Sequence, residues 1–249
     1  VTSLSTTQIQ ALTTGQIIAL STAAVGALTT DQIGALGTRQ VAAIETRDIA
    51  VLNTDQVVAL GTTQVGALTS SQVGALSTNS IQALGTAGIG VLSTAATAAI
   101  STAGITALTT DQIVALGSSQ IAALKTNQVV TLSSNQLAAI ETRDIGALST
   151  AAIVALSTAA FTAITTDQIG ALSSNQIIAI ETRDIAVLST DQFLAMGTTQ
   201  IGALSTAQMG ALTTDQIVVL GTGVGALNTA AIASLSTAAI GALQTSQIA

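Results

Sequence analysis

The amino-acid sequence predicts an all-α solenoid, which is a coil of very short helices built from an eight-residue repeat. Three observations predict this fold: one octapeptide recurs along the chain, each repeat carries a helix-capping pattern, and apolar residues make up 49% of the composition. A disordered chain would need lower hydrophobicity and more charge than this sequence has. We therefore expect the chain to fold into a packed repeat structure.

The repeat has the form Leu, Ser/Thr/Gly, Thr, any residue, Gln, Ile/Val, any residue, Ala, and about thirty-one repeats follow one another from Leu4. Position three is the strictest, because it is Thr or Ser in every repeat. The repeat at Leu220 is one residue short, and the register resumes at Leu227. Residues 1–249 are thus predicted to form a single continuous array. Its first and last repeats lack a polar cap, which indicates a fragment of a longer array.

Each repeat carries a signal for the start of a helix. In the repeat 28–35, Thr29 and Gln32 have the spacing of a capping box, and Asp31 falls in the first turn, where negative charge is favoured. A second phase, in which the stricter Thr30 is the cap, fits as well, and the sequence leaves the two open. In that phase the capping hydroxyls, each contributing about 1 kcal/mol, include those of Thr30, Thr110 and Thr166.

A single long helix is excluded, because eight residues advance about 800° around a helix and the apolar stripe would drift with every repeat. Helices of about six residues cannot stand alone in water, so they must stack on one another. The alternative is a β-solenoid, since Thr, Ile and Val favour strands and Ile33 and Ala35 alternate correctly. Leu36 breaks that alternation, and Ala-rich repeats such as residues 148–155 also disfavour strands.

The positions of the charged residues predict which side chains face the interior. All acids and bases fall at positions two, four or five of the repeat. We therefore expect the Leu, Ile and Ala positions to line the core, with Ile113 and Leu116 inaccessible, and the variable position four to face water. Phe161 and Phe193 replace Ile at position six and are predicted core residues.

One charged motif, Ile-Glu-Thr-Arg-Asp-Ile, recurs. It occurs at Glu45, Arg47 and Asp48, at Glu141, Arg143 and Asp144, and at Glu181, Arg183 and Asp184. Such acid–base–acid clusters could serve as cation sites or catalytic carboxylates. However, no His accompanies them, and three identical copies are unlike an active site, which is normally unique. Since Asp48 stands where other repeats have Gln, we interpret the motif as a solvated helix start with local ion pairing.

The remaining acids also favour a structural interpretation. First-turn acids that complement a helix dipole are predicted at Asp31, Asp111, Asp167 and Asp215. A calcium loop would need several closely spaced Asp or Asn with a Gly, and the sequence contains none. The recurring Gly-Ala pair, as in Gly34-Ala35, resembles neither a phosphate loop nor a dinucleotide fingerprint. We predict no catalytic, metal-binding or cofactor-binding residue, and no cofactor.

Composition excludes several classes of function. The chain has no Cys, His, Trp, Tyr or Pro, and only 7% of its residues are charged, which argues against an enzyme. A net charge of −7 with five basic residues argues against nucleic-acid binding. Polar residues interrupt the apolar ones every few positions, so no segment is expected to span a membrane.

The segment Leu-Thr-Thr-Asp-Gln-Ile-Gly-Ala-Leu, residues 28–36, resembles the octad arrays of large bacterial exoproteins and adhesins, and such repeats cover essentially the whole chain. The resemblance implies an extracellular or cell-surface stalk or filament segment. It supplies no catalytic or binding residue.

The predicted function is therefore a structural spacer or filament-forming segment of a secreted or cell-surface protein, without catalysis. The alternative is a binding module whose Thr array contacts ice or another ordered surface. We also expect end-to-end self-association, because an uncapped repeat is best covered by another copy of the repeat. The residues expected to form the apolar ends are Leu4, Ile9, Leu243 and Ile248.

Overall fold

A computed structural model of the chain describes residues 1–221, 227 and 229–243, and all of its regular structure is helical. The helices have four to seven residues each, and no strand occurs among the described residues. The all-α prediction is confirmed, and the β-solenoid alternative is wrong for this part of the chain. The chain divides into two compact units, residues Val1–Thr131 and Leu132–Ala249.

The first unit contains helices α1 to α16. In chain order they are Thr6–Ala11, Thr14–Ile18, Thr22–Gly26, Thr30–Ala35, Thr38–Ala43, Thr46–Ile49, Thr54–Val58, Thr62–Gly66, Ser70–Ala75, Thr78–Ala83, Gly85–Val91, Thr94–Thr97, Thr102–Ala107, Thr110–Val114, Ser118–Ala123 and Thr126–Val129.

The second unit contains the described helices α17 to α29. In chain order they are Ser134–Ala139, Thr142–Ile145, Thr150–Ala155, Thr158–Ala163, Thr166–Ala171, Ser174–Ala179, Thr182–Ala186, Thr190–Leu194, Thr198–Ala203, Thr206–Gly210, Thr214–Leu220, Thr229–Ala233 and Thr237–Ala242.

The helix begins at position three in every described helix except α11, and the described residues at position two are the N-caps of these helices. In α4 the Oγ1 of Thr29 accepts a hydrogen bond from the backbone N–H of Gln32 at 3.2 Å, and the Oε1 of Gln32 accepts from the N–H of Thr29 at 3.0 Å. This is the predicted capping box. The phase with Thr30 as the cap is wrong, because Thr30 is already the first helical residue.

Where a helix runs to position eight, the two residues before the next helix form an extended corner, as between α4 and α5. The chain leaves α4 at Leu36, with φ −62° and ψ 138°, and enters α5 through Gly37, with φ −75° and ψ 158°. The N–H of Leu36 still donates to the carbonyl of Ile33 at 3.2 Å. Position one therefore ends one helix while its side chain remains inside.

Each helix packs against the third helix after it, within both units. The pairs run from α1 with α4 to α13 with α16 in the first unit, and from α17 with α20 to α24 with α27 in the second. Three repeats thus complete one coil. Helix α26 packs against α28, and α27 against α29.

The core consists of the residues at positions one and six. Ile113 and Leu116 are each 1% exposed, and Phe161 and Phe193 are fully buried, as predicted. Position four faces water, as at Asp31. The Ala at position eight, however, is mostly half-buried or exposed, because it lies at the edge of the coil where the corner begins.

The expected apolar ends are only partly as predicted. Ile9 is fully buried inside the first unit, so its assignment to an exposed end is wrong. The coil of α4 covers it, since α1 packs against α4. Leu4 and Leu243 are half-buried, and Ile248 lies outside the described residues.

Candidate functional site

The Gln at position five is buried, and it uses both ends of its amide. At Gln72 the Oε1 accepts a hydrogen bond from the backbone N–H of Thr69 at 2.8 Å, which completes the capping box of its own helix. The Nε2 donates to the carbonyls of Val41 and Ile44, each at 2.8 Å. These two carbonyls lie where α5 ends, in the preceding coil. One side chain therefore caps a helix start and a helix end.

The same bond pattern joins most consecutive coils. Carbonyls at a helix end have no partner within the helix, and buried Gln side chains supply the missing donors. Gln Nε2 bonds of this kind are made in the first unit by Gln32, Gln40, Gln56, Gln64, Gln72, Gln112, Gln120 and Gln128, and in the second by Gln168, Gln176, Gln192, Gln200, Gln208 and Gln216.

The capping pattern predicted only half of this role. A capping box accepts either Glu or Gln, and its signal depends on the acceptor oxygen alone. The chain uses Gln and never Glu at position five. That preference indicates that the NH₂ group is needed as a donor, and it was the available signal for the bond to the preceding coil.

The Ile-Glu-Thr-Arg-Asp-Ile motif forms the predicted local ion pair. In its first copy the guanidinium of Arg47 pairs with the carboxylate of Glu45, and Arg47 is 67% exposed. The second and third copies repeat this pair. Because these groups are so exposed, the pair contributes at most about 1 kcal/mol.

The Asp of the motif is not solvated, which corrects the prediction. Asp48, Asp144 and Asp184 are all buried, because position five points into the coil whichever residue fills it. The Oδ1 of Asp48 accepts a hydrogen bond from the Oγ1 of Thr22 at 2.5 Å, and that of Asp184 accepts one from Thr158 at 2.6 Å. The Oδ2 atoms of Asp48 and Asp184 are buried without a hydrogen-bond partner.

The carboxylates do not assemble into one centre. The other predicted acids, Asp31, Asp111, Asp167 and Asp215, each lie in the first turn of their own helix, as expected from the helix dipole. Within residues 1–221, 227 and 229–243, no three His, Cys, Asp or Glu side chains form a group that could hold a metal ion.

Comparison with known families identifies the repeat. A family model for the ALTTAQ repeat matches residues 18–43, 41–78, 81–118, 97–126, 137–174, 177–214, 185–222 and 224–249. The chain belongs to the ALTTAQ repeat family. In this ALTTAQ repeat array, the Gln of the family's own name is the residue that caps the helix and bonds to the preceding coil.

A comparison of the ALTTAQ repeat chain with curated proteins finds no match. None of the helices in the described part of the array reaches the length and apolarity needed to cross a bilayer.

Proposed function

We propose that this ALTTAQ repeat chain is a structural spacer, a stalk or filament-forming segment without catalysis. The observation that supports it best is the repeated use of one buried side chain, the position-five Gln, to bond successive coils. Regular hydrogen bonds between successive coils are what a spacer of fixed length requires.

Stacking rather than local stability holds such a spacer together. Helices of four to seven residues are far below the length that is stable in water. Each helix is therefore stabilised by the coils on either side of it, as in other solenoids. Adding three repeats adds one coil, and the spacing of packed helices makes this an increment of about 8 to 10 Å.

The proposed setting is the cell surface or the extracellular space, with copies associating end to end. Its support is the resemblance to exoprotein octad arrays and a composition free of Cys, with one Lys and four Arg. Net charge of −7 distributed over 249 residues is weak and screened at physiological salt, so it opposes association little.

A duplication series tests the spacer proposal. Residues 28–51, which form one coil, are duplicated once and twice in the chain, and small-angle scattering measures the maximum dimension. The spacer proposal expects growth of about 8 to 10 Å per duplication with unchanged helical circular dichroism per residue. Growth with the cube root of chain length, as in a compact globule, contradicts it.

A second candidate is a surface-binding module, and the exposure of position three favours it. Thr30 and Thr54 are exposed, lie on the stacked helices α4 and α7, and play no part in the caps. Their hydroxyls are thus free to face an ordered surface such as ice. The test is ice-growth inhibition by the chain and by the double variant Thr30→Val and Thr54→Val. Inhibition that the double variant loses would favour this candidate over the spacer.

A further inference from the structure

In the first unit, one junction between coils lacks the position-five Gln entirely. It lies between residues 52–75, which contain α7, α8 and α9, and residues 76–99, which contain α10, α11 and α12. Position five of the second coil is occupied by Ser80, Gly88 and Ala96. We refer to the contact between these two segments as the Gln-free junction.

No side-chain hydrogen bond joins residues 52–75 to residues 76–99, all of which the structure describes. At the preceding junction, by contrast, Gln56, Gln64 and Gln72 all donate to carbonyls of residues 26–44. In the Gln-free junction Ser80 bonds instead to the hydroxyl of Ser77, within its own repeat. The donors that fasten the neighbouring coils are missing here.

Only apolar packing holds the Gln-free junction. Helices α7, α8 and α9 contact α10, α11 and α12 respectively. Val65 faces Gly88, since a Cβ added at Gly88 would lie 3.6 Å from the Cγ1 of Val65. Position six of the second coil is filled by Ile81, Ile89 and Thr97, all of which are buried.

The corner at Gly85 is altered as well. At Gly61 and Gly117 the backbone N–H donates to the Oε1 of the position-five Gln, and φ is −71° and −86°. At Gly85 there is no Gln to accept this bond, and φ is +63°, a value that only Gly adopts readily. Helix α11 begins there without a side-chain cap. Two features of the same coil therefore depart from the rest of the first unit.

We propose that the Gln-free junction is where the coils of the first unit open, by reversible separation of residues 52–75 from residues 76–99. In a solenoid the free energy of each junction is a separate nearest-neighbour contribution, so a junction that lacks its hydrogen bonds opens before the others. This inference does not depend on the spacer function.

Thiol labelling can measure the opening, because the chain contains no Cys. Val65→Cys places a thiol at the Gln-free junction, and Val41→Cys places one where Gln72 bonds to the coil. Both positions are buried Val at position six. We expect Val65→Cys to react at least tenfold faster with a soluble thiol reagent in the full chain. Equal rates would overturn the proposal.

A second experiment introduces the missing hydrogen-bond donors at the Gln-free junction. Ser80→Gln with Ala96→Gln, in the Val65→Cys chain, is expected to slow labelling by about fivefold or more, the factor for one net hydrogen bond. Ala95→Gln is the matched control, since Ala95 is exposed and its new amide would face water, leaving the rate unchanged. An unchanged rate in a double variant that folds, judged by circular dichroism, contradicts the proposal.

The converse variant decides the matter if the double variant does not fold. Gln64→Ala with Gln72→Ala removes two bonded positions from the preceding junction. In the Val41→Cys chain it is expected to raise the labelling rate toward that of Val65→Cys. A rate that stays at the original Val41→Cys value would show that the Gln bonds do not control opening.

Discussion

The hydroxyl of Thr22 donates a 2.5 Å hydrogen bond to the Oδ1 of Asp48 one coil later, while the Oδ2 of the same buried carboxylate has no hydrogen-bond partner. In most other repeats this place is filled by a Gln amide, which in the buried cases donates to the preceding coil. An Asp cannot donate in its ionised form, and its side chain is one methylene shorter. At Asp48 the motif therefore replaces the amide-to-carbonyl bonds between coils by one hydroxyl-to-carboxylate bond.

Replacing this carboxylate by the amide of other repeats should stabilise the chain. Asp48→Gln loses the bond to Thr22 and the 3.6 Å ion contact with Arg47, but it supplies the capping box and the bonds to the preceding coil. It also removes a buried oxygen without a hydrogen-bond partner. We expect the free energy of unfolding to rise by about 1 kcal/mol, measured by urea denaturation. Asp55→Gln removes the same charge at an exposed position and should be slightly destabilising. Equal losses in the two variants would contradict this account.

The donor role of the buried Gln can be separated from its capping role. Gln72→Glu keeps the acceptor of the capping box but turns a carboxylate toward the carbonyls of Val41 and Ile44, so we expect a loss of about 3 kcal/mol or more. Gln8 is exposed and makes only the capping box, so Gln8→Glu should change stability by less than about 0.5 kcal/mol. Thermal and urea denaturation compare the two variants. A mild effect at Gln72 would show that its Nε2 bonds contribute little.

The sequence predicted the structural features that depend only on residues of the same repeat. The capping box at Thr29 and Gln32, and the burial of Ile33, follow from spacing along eight residues. The sequence could not predict three helices per coil, because identical repeats bury the same positions however many make a turn. For the same reason it missed the bond from Gln72 to Ile44, which joins residues 28 positions apart.

The candidate site was predicted less completely. Ion pairing of Arg47 with Glu45 followed from their closeness in sequence. The burial of Asp48 did not, because a charged residue is ordinarily expected at the surface. Position five is interior in nearly every described repeat, and the Asp follows the position rather than its own polarity.

Close approach of stacked helices can be measured at Gly170. A Cβ there would lie 3.0 Å from the carbonyl oxygen of Ala195 in the next coil, whereas a Cβ at Gly15 would meet nothing within 4 Å. Both residues lie inside helices, so Ala at either gains about 0.5 to 1 kcal/mol of helix propensity. We expect Gly15→Ala to raise the free energy of unfolding, and with it the melting temperature. The free energy of unfolding of Gly170→Ala is expected to be about 1 kcal/mol lower than that of Gly15→Ala. Identical shifts of the melting temperature in the two variants would show that the neighbouring coil accommodates the added methyl group without loss of stability.

The last prediction concerns the two neighbouring hydroxyls of α4. Thr29 caps the helix through its 3.2 Å bond from the N–H of Gln32, while Thr30 is exposed and occupies the first helical position. Val has the shape of Thr without the hydroxyl, so Thr29→Val should cost about 1 kcal/mol and Thr30→Val less than about 0.5 kcal/mol. Urea denaturation of the two variants measures the difference. A loss at Thr30 as large as that at Thr29 would assign its hydroxyl a role inside the coil, and it would then not be free to face an external surface.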